Sequence, residues 1–334
     1  MHMPGHTYIA GIGSSLPTQR VASNDLLHEV RSTRFGIPEE YISTELGIEE
    51  RRVAPTKSQP SDLAASASII AMQKAGVSPE DIDIIIFCGI EGDFKEPATA
   101  HNVQAKLGTY NAVCFDTSNA CQGFLTGVST ADALISAGSA ETALICTAEK
   151  PSHTMFGFMK PMRETSQHDE FMKLVGSLTV GDAGGAMVIQ RKPANSHKGI
   201  KHFNYTSDGK YAKLCYYKDD GGSIEGQMDM RRICGRVIGL HKKLMPQTYE
   251  LLGWTPASVD MLICHQAGKL PHKKLAAIAG QPVSKAPITY AKYANLATAT
   301  FPVAMDEHPK PAGTNVMFMG AGSGVTSCQI GAVL

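Results

Sequence analysis

Short runs of consecutive apolar residues alternate along this chain with longer stretches in which apolar residues recur every third or fourth position. Tyr8 to Ile12, Ile82 to Cys88, Ala112 to Asp116, Thr142 to Thr147 and Ala186 to Gln190 read as strands. Ser61 to Ala75, Pro97 to about Leu107, and Cys121 to Ala137 read as helices. Strand and helix in alternation predict an α/β sheet with helices on its faces.

Between Glu149 and Ser177 the pattern breaks into a stretch of Met, Phe, Pro and charged residues, longer than an ordinary connection. It reads either as an excursion over a site or interface or as a surface loop. Met155, Phe156, Phe158, Met159 and Met162 within it suit an adaptable apolar pocket or a contact between subunits, and periodicity does not separate the two. Arg191 to Gly199, with Pro, Asn, Ser and Lys, is the linker candidate, dividing the chain into halves 1–192 and 200–334. The halves echo each other. Gly76-Val-Ser-Pro-Glu-Asp-Ile-Asp recurs 177 positions later as Gly253-Trp-Thr-Pro-Ala-Ser-Val-Asp, each copy after a helix and before an apolar strand. Such a repeated unit predicts a duplicated α/β fold with facing halves. The same offset carries Cys121 to within three residues of Asn295, so both are expected at strand-to-helix junctions, with His265 at a strand end. In open α/β architectures such ends converge on one crevice.

Composition narrows the function. The 334 residues carry 31 Lys+Arg and 31 Asp+Glu, so no global field attracts nucleic acid or an anionic membrane. Apolar runs fall far short of the ~20 residues that span a bilayer. The N-terminus has no signal-peptide core, which points to the cytoplasm. Eight cysteines without a C-x-x-C pair fit reduced thiols better than disulfides or zinc. Gly11-Ile-Gly13 lacks the third glycine of a dinucleotide fingerprint, and Met319-Gly-Ala-Gly-Ser-Gly-Val325 has neither a following helix nor Gly-Lys-Ser/Thr. The second stretch suits a tight turn that brings backbone N–H groups close to a substrate.

Three residues remain as candidates for chemistry. Cys121, directly before an apolar helix, is either a packed core residue or a nucleophile whose thiolate the helix N-terminus favours. His265, closing the strand Leu262-Ile-Cys, is either a satisfied core histidine or a proton carrier. Asn295 is either a helix cap or a donor. Together a thiolate, a His and an Asn suit thioester chemistry, in which one group takes the acyl and two polarise a carbonyl.

At these residues the chain resembles the thiolase superfamily, specifically the β-ketoacyl-ACP synthase III type of condensing enzyme. The resemblance runs nearly end to end through Ile12-Gly-Ser-Ser-Leu-Pro17 with Asn24-Asp25-Leu26, Leu46-Gly-Ile-Glu-Glu-Arg-Arg52, Asn119-Ala-Cys-Gln-Gly-Phe124, Gly181-Asp-Ala-Gly-Gly185, His265-Gln-Ala267, the Asn295 segment and the terminal glycine turn. It implies a five-layered αβαβα subunit, normally homodimeric, that needs no metal or redox cofactor. It also implies that Cys121 receives an acyl group from CoA or an acyl carrier protein. His265 and Asn295 would then bind the second thioester's carbonyl, and the N–H groups of Cys121 and Ala321 would form the oxyanion hole.

Departures from that pattern carry information. Tyr41 stands for an adenine-clamping Trp, and Glu45 and about Leu174 stand for its two arginines, so CoA held differently or a carrier-protein donor is expected. Gly268 stands for a second Asn, and Phe156 and Met159 are candidate acyl-pocket residues. Glu96, in Glu96-Pro-Ala-Thr99, replaces a Phe that reaches into the partner's acyl pocket. This segment resembles the head-to-head Claisen condensing enzyme of olefin biosynthesis, where a Glu of the neighbouring subunit is the base. The other reading of Glu96 is a solvent-facing residue near a helix start. Acyl transfer to an oxygen or nitrogen nucleophile, and a non-catalytic partner subunit of a heterodimer, are the further alternatives.

Overall fold

The run Ile84 to Phe87 is buried throughout, with Ile84 and Ile86 turned to one apolar cluster and Ile85 and Phe87 to another. A strand covered on both faces has no polar side to display, so it reads as a continuous apolar run. The computed structural model describes residues 1–219 and 224–334. The first half runs β1 (His2–Pro4), β2 (Thr7–Ser15), β3 (Gln19–Ala22), α1 (Ser23–Glu29), α2 (Tyr41–Glu45), β4 (Glu50–Val53), α3 (Pro60–Ala75), β5 (Ile84–Phe87), α4 (Thr99–Leu107), β6 (Val113–Asp116), α5 (Gly123–Ser136), β7 (Thr142–Glu149), α6 (Ser152–Glu164), α7 (His168–Val175) and β8 (Ala183–Arg191). The second runs β9 (Gly199–Ser207), β10 (Cys215–Asp219), β11 (Ile224–Met228), α8 (Met230–Leu252), β12 (Met261–Cys264), α9 (Lys269–Ile278), α10 (Tyr290–Tyr293), α11 (Thr300–Glu307), β13 (Asn315–Gly322) and β14 (Thr326–Val333).

Two five-stranded mixed sheets result, ordered β2-β8-β7-β5-β6 and β1-β9-β14-β13-β12. Helices α5 and α11 lie between them, and their Phe124, Val128, Phe301 and Met305 meet Ile145 of one sheet and Phe318 of the other in one central core. Helix α3 covers the outer face of the first sheet, and α8 and α9 cover that of the second. This is the thiolase-like αβαβα layering. Among the described residues no helix is long and apolar enough to cross a membrane.

The sequence echo is a structural repeat. Gly76 and Gly253 both end a helix in the left-handed region, at φ 68° and 61°. Ser78 and Thr255 then form a capping box on a short turn that opens with Pro79 or Pro256. Asp83 and Asp260 each accept a backbone N–H from a strand start, Thr142 at 3.0 Å and Asn315 at 2.9 Å. The repeat reaches the site as well, because Ala120 and Ala297 share a rare positive φ of 46° and 45°. The counterpart of Cys121 is therefore Thr298, and Asn295 lies three residues before it.

Other expectations need correction. The stretch from Glu149 to Ser177 is not a surface loop but is built mainly of the helices α6 and α7. Met155, Met159 and Met162 form the buried stripe of α6 and pack with Phe171, Ile42 and Tyr290. The helix expected from Cys121 begins at Gly123, after a 3-10 turn over Ala120–Gln122. The N-terminal residues, unassigned in the sequence reading, form β1 and pair with β9 of the second sheet.

Candidate active site

The turn before α5 carries Cys121, the end of β12 carries His265, and the segment between α10 and α11 carries Asn295. All three, with Ala321 of β13, line one cavity of about 80 Å³. Backbone contacts fix each position. The His265 N–H donates to Met319 O at 2.9 Å, extending the β12–β13 ladder by one residue. Asn295 forms a β-bridge with Val180: its N–H donates to Thr179 O at 2.9 Å, and its carbonyl accepts from Gly181 N at 3.2 Å. A Cβ at Gly181 would lie 2.2 Å from Tyr293 O, so glycine alone permits this approach. Likewise a Cβ at Gly123 would meet Cys88 O at 2.5 Å and Thr298 Cγ2 at 3.2 Å, where the two repeated turns touch.

Two polar residues of the sequence motifs hold the frame. Gln266 is buried; its Oε1 accepts from the N–H groups of Thr289 and Tyr290, and its Nε2 donates to Pro287 O at 3.0 Å. It thereby ties the His265 strand end to the chain leading to Asn295. Asp182 is fully buried and accepts from Ala54 N at 2.8 Å, Ser152 N at 2.9 Å and Ser152 Oγ at 2.6 Å.

The Asn295 amide has a defined sense. Its Oδ1 accepts from Ala297 N at 3.0 Å, so its NH₂ group is left to donate. Burial lowers the His265 pKa to about 4, and the ring is therefore neutral near pH 7 with one N–H to give. The expected thiolate of Cys121 is not the resting form. Burial first, then the Glu149 carboxylate and the Cys215 thiol, push its pKa up to about 12. Desolvation thus outweighs the helix terminus that the sequence reading favoured, and ionisation must accompany attack on the substrate.

His241, whose Nδ1 contacts Gln329 Nε2 at 3.1 Å, is lowered to about 3 by the same cause. Both histidines are neutral in the folded chain and protonate when it unfolds below about pH 6.5. Their contribution to stability is complete above that pH and is lost as pH falls toward 4 and 3. Glu149, raised by burial to about 8, acts oppositely in part of this range, but two protons outweigh one. Urea midpoints are expected to fall between pH 6.5 and 4.5, less steeply in His265→Asn; an unchanged slope in that variant would contradict the assignment.

The other sequence candidates lie elsewhere. Glu96 is exposed on the loop between β5 and α4, outside its own chain's cavity. Met159 is core, Phe156 is exposed, and Tyr41 packs beside the α6–α7 cluster, so none of the three lines the cavity. The walls come instead from Cys215, Met228 and the first turns of α8, where Ile233, Cys234 and Val237 recur at helical spacing. That stripe was readable in the sequence, but nothing there said what it faces. Gly268 has φ 119° and a Cβ there would meet Leu46 O at 3.1 Å, which accounts for glycine in place of a second Asn. No cluster of three metal-ligating side chains occurs among the described residues.

Comparison with known proteins bears on the family and the fold. The family model of 3-oxoacyl-[acyl-carrier-protein] synthase III matches residues 115–209, and the model of its C-terminal region matches residues 250–332. The β-ketoacyl-[acyl-carrier-protein] synthase III of Neisseria meningitidis is 30% identical over 327 residues, 95% of each chain. That of Rhizobium meliloti is 29% identical, covering 89% of this chain and 88% of its own. Among solved structures, cerulenin-bound Xanthomonas campestris OleA superposes with a TM-score of 0.92 at 24% identity, over 99% of this chain and 98% of that one. A variant of OleA with bound lauric acid and lauroyl-CoA gives 0.92 at 23% identity, over 99% of this chain and all of that one.

Proposed function

The chain belongs to the 3-oxoacyl-[acyl-carrier-protein] synthase III family and is a condensing acyltransferase; from that premise we propose that Cys121, His265 and Asn295 perform its two half-reactions. The supporting observation is their convergence, with Ala321, on one cavity. In the first half-reaction Cys121 Sγ attacks a thioester carbonyl. The new S–C bond replaces the donor's C–S bond, and the thiol proton leaves with the donor thiol. The N–H groups of Cys121 and Ala321 take the negative charge that develops on the carbonyl oxygen.

In the second half-reaction the His265 N–H and the Asn295 amide hold the carbonyl oxygen of another thioester and stabilise its enolate. The enolate forms by loss of carbon dioxide from a malonyl-type thioester or of an α-proton to a base; its α-carbon attacks the acyl carbon, the bond to Sγ breaks, the sulfur takes up a proton, and a β-keto product departs. The donor is a CoA or carrier-protein thioester. The reading is supported by exposed Arg231, Arg232 and Arg236 on the first turns of α8 and Lys269, Lys273 and Lys274 on α9, which flank the cavity and suit a phosphate-bearing donor. Intact-protein mass after incubation with a mixture of acyl thioesters tests the nucleophile: one acyl adduct is expected, on Cys121.

A second reading concerns the origin of the enolate. Glu96 lies near the free edge formed by β6, where Val113 is 68% and Phe94 53% exposed, an apolar edge suited to a second copy of the chain. Glu96 of one subunit is then the base for the other, and condensation proceeds without loss of carbon dioxide. Two unactivated acyl thioesters are expected to condense in the wild type without release of carbon dioxide, and Glu96→Ala to lose this at least about a hundredfold. Unchanged condensation in that variant would remove Glu96 as the base, whereas condensation that requires a malonyl thioester and releases carbon dioxide would favour the decarboxylative origin.

A further inference from the structure

Glu149 is the last residue of β7, 3% exposed, and takes no part in the half-reactions above. Its Oε1 accepts from Thr298 Oγ1 and from Ile90 N. Thr298 also meets the Thr147 hydroxyl, and the repeat places Thr298 where the other half has Cys121. One carboxyl thus grips the turn that follows Asn295 from directly beside the turn that carries the nucleophile.

The charged and titratable surroundings of Glu149 are few. Cys121, on the turn before α5, and Cys88 and Glu91, on the segment after β5, feel its charge. On the packed elements, Asp62 and Lys74 of α3 are taken by Lys106 and Asp306, and Asp132 of α5 by His6 N and Thr7. Asp182, before β8, is held by Ser152 and Ala54, and Lys150 donates to the carbonyls of Thr56 and Ser58. No recorded ion pair among the described residues offsets a negative charge on Glu149.

We propose that Glu149 is a positioning residue for Cys121: a buried carboxyl, tied to Thr298, that locks the Asn295 turn beside the Cys121 turn and whose charge state governs how readily the thiol ionises. The mechanism is electrostatic. With Oε1 accepting two hydrogen bonds, the proton of the neutral acid resides on Oε2, and the thiol then faces no opposing charge. Once that proton leaves, a carboxylate and a developing thiolate share a poorly solvated region, and thiolate formation is opposed. Burial raises the Glu149 pKa to about 8, so the transition falls within the range where thiols are assayed.

This rests on Cys121 as the nucleophile, but its test does not use acyl transfer. The rate of carbamidomethylation of Cys121 by iodoacetamide, localised by peptide mass to separate it from Cys215, is measured from pH 6 to pH 10. In the wild type the rise with pH is expected to flatten near pH 8. In Glu149→Gln, which keeps an acceptor for Thr298 and Ile90 N, the rate is expected to match wild type within about twofold below pH 7, to exceed it about threefold at pH 8.5 and to approach about tenfold by pH 10, the equivalent of one pKa unit. Glu149→Asp is expected to restore the flattening. A Gln-to-wild-type ratio independent of pH marks a merely structural role and overturns the proposal. So does a wild-type profile with no second inflection, which needs no variant to fold. Loss of acylation with this pH pattern intact would instead count against the reaction assigned above.

Discussion

Cys121→Ala is expected to gain no acyl mass from any thioester and to lose condensation by at least about a thousandfold, because the covalent intermediate has no other acceptor. His265→Ala and Asn295→Ala are expected to behave differently. The first acyl transfer uses the Cys121 sulfur and backbone donors, so both should still gain the acyl mass. Condensation should fall about a hundredfold or more, since each removes a donor from the enolate oxygen. Time-resolved intact mass, run alongside product formation, separates the two half-reactions. An acyl adduct on Cys121→Ala at another residue, or loss of acylation in Asn295→Ala with its fold intact, would break the assignment.

The largest expected effect on stability is at Asp182, not at the catalytic residues. Its carboxylate receives two backbone N–H groups and one hydroxyl, from Ala54 after β4 and from Ser152 at the start of α6. Asp182→Ala leaves all three donors buried without an acceptor, at about 1–3 kcal/mol each, so a loss of at least about 3 kcal/mol is expected. Asp182→Asn keeps one acceptor oxygen and should lose about half as much. Burial raises the Asp182 pKa, and the three donors hold it below where burial alone would put it. Urea unfolding measures both, and a change under about 1 kcal/mol in Asp182→Ala would show that the donors find other partners. Asp182 lies two residues after Val180, whose bridge holds Asn295, so acylated Asp182→Ala is also expected to condense poorly.

Much of this was legible before any coordinates. Buried strands announced themselves as apolar runs, and the repeated Gly, Ser/Thr and Pro are local signals that fold the same way in both halves because each acts within a few residues of itself, whereas the repeated Asp reaches a strand start more than fifty residues on. Cys121, His265 and Asn295 were visible because thioester chemistry needs those side chains. The Met stripe of α6 was left between a pocket and a subunit contact, and it packs inside its own chain instead, because apolar periodicity records that a face is buried and not what buries it. The helix-end argument for Cys121 failed for a related reason: it counts the local dipole and omits desolvation, which depends on everything packed around the sulfur.

The sequence by itself determined the α/β class and the duplication and singled out Cys121, His265 and Asn295 as candidates, since these follow from periodicity, short-range capping and side-chain chemistry. Only the tertiary structure decided that Thr298 is the counterpart of Cys121, that α8 walls the cavity, that Glu96 lies outside its own chain's cavity, and that Glu149 holds Thr298 where the two repeated turns touch. The Glu149 hydrogen bond to Thr298 joins residues 149 positions apart. No local pattern encodes such a pair, because its energy comes from two distant segments being desolvated together.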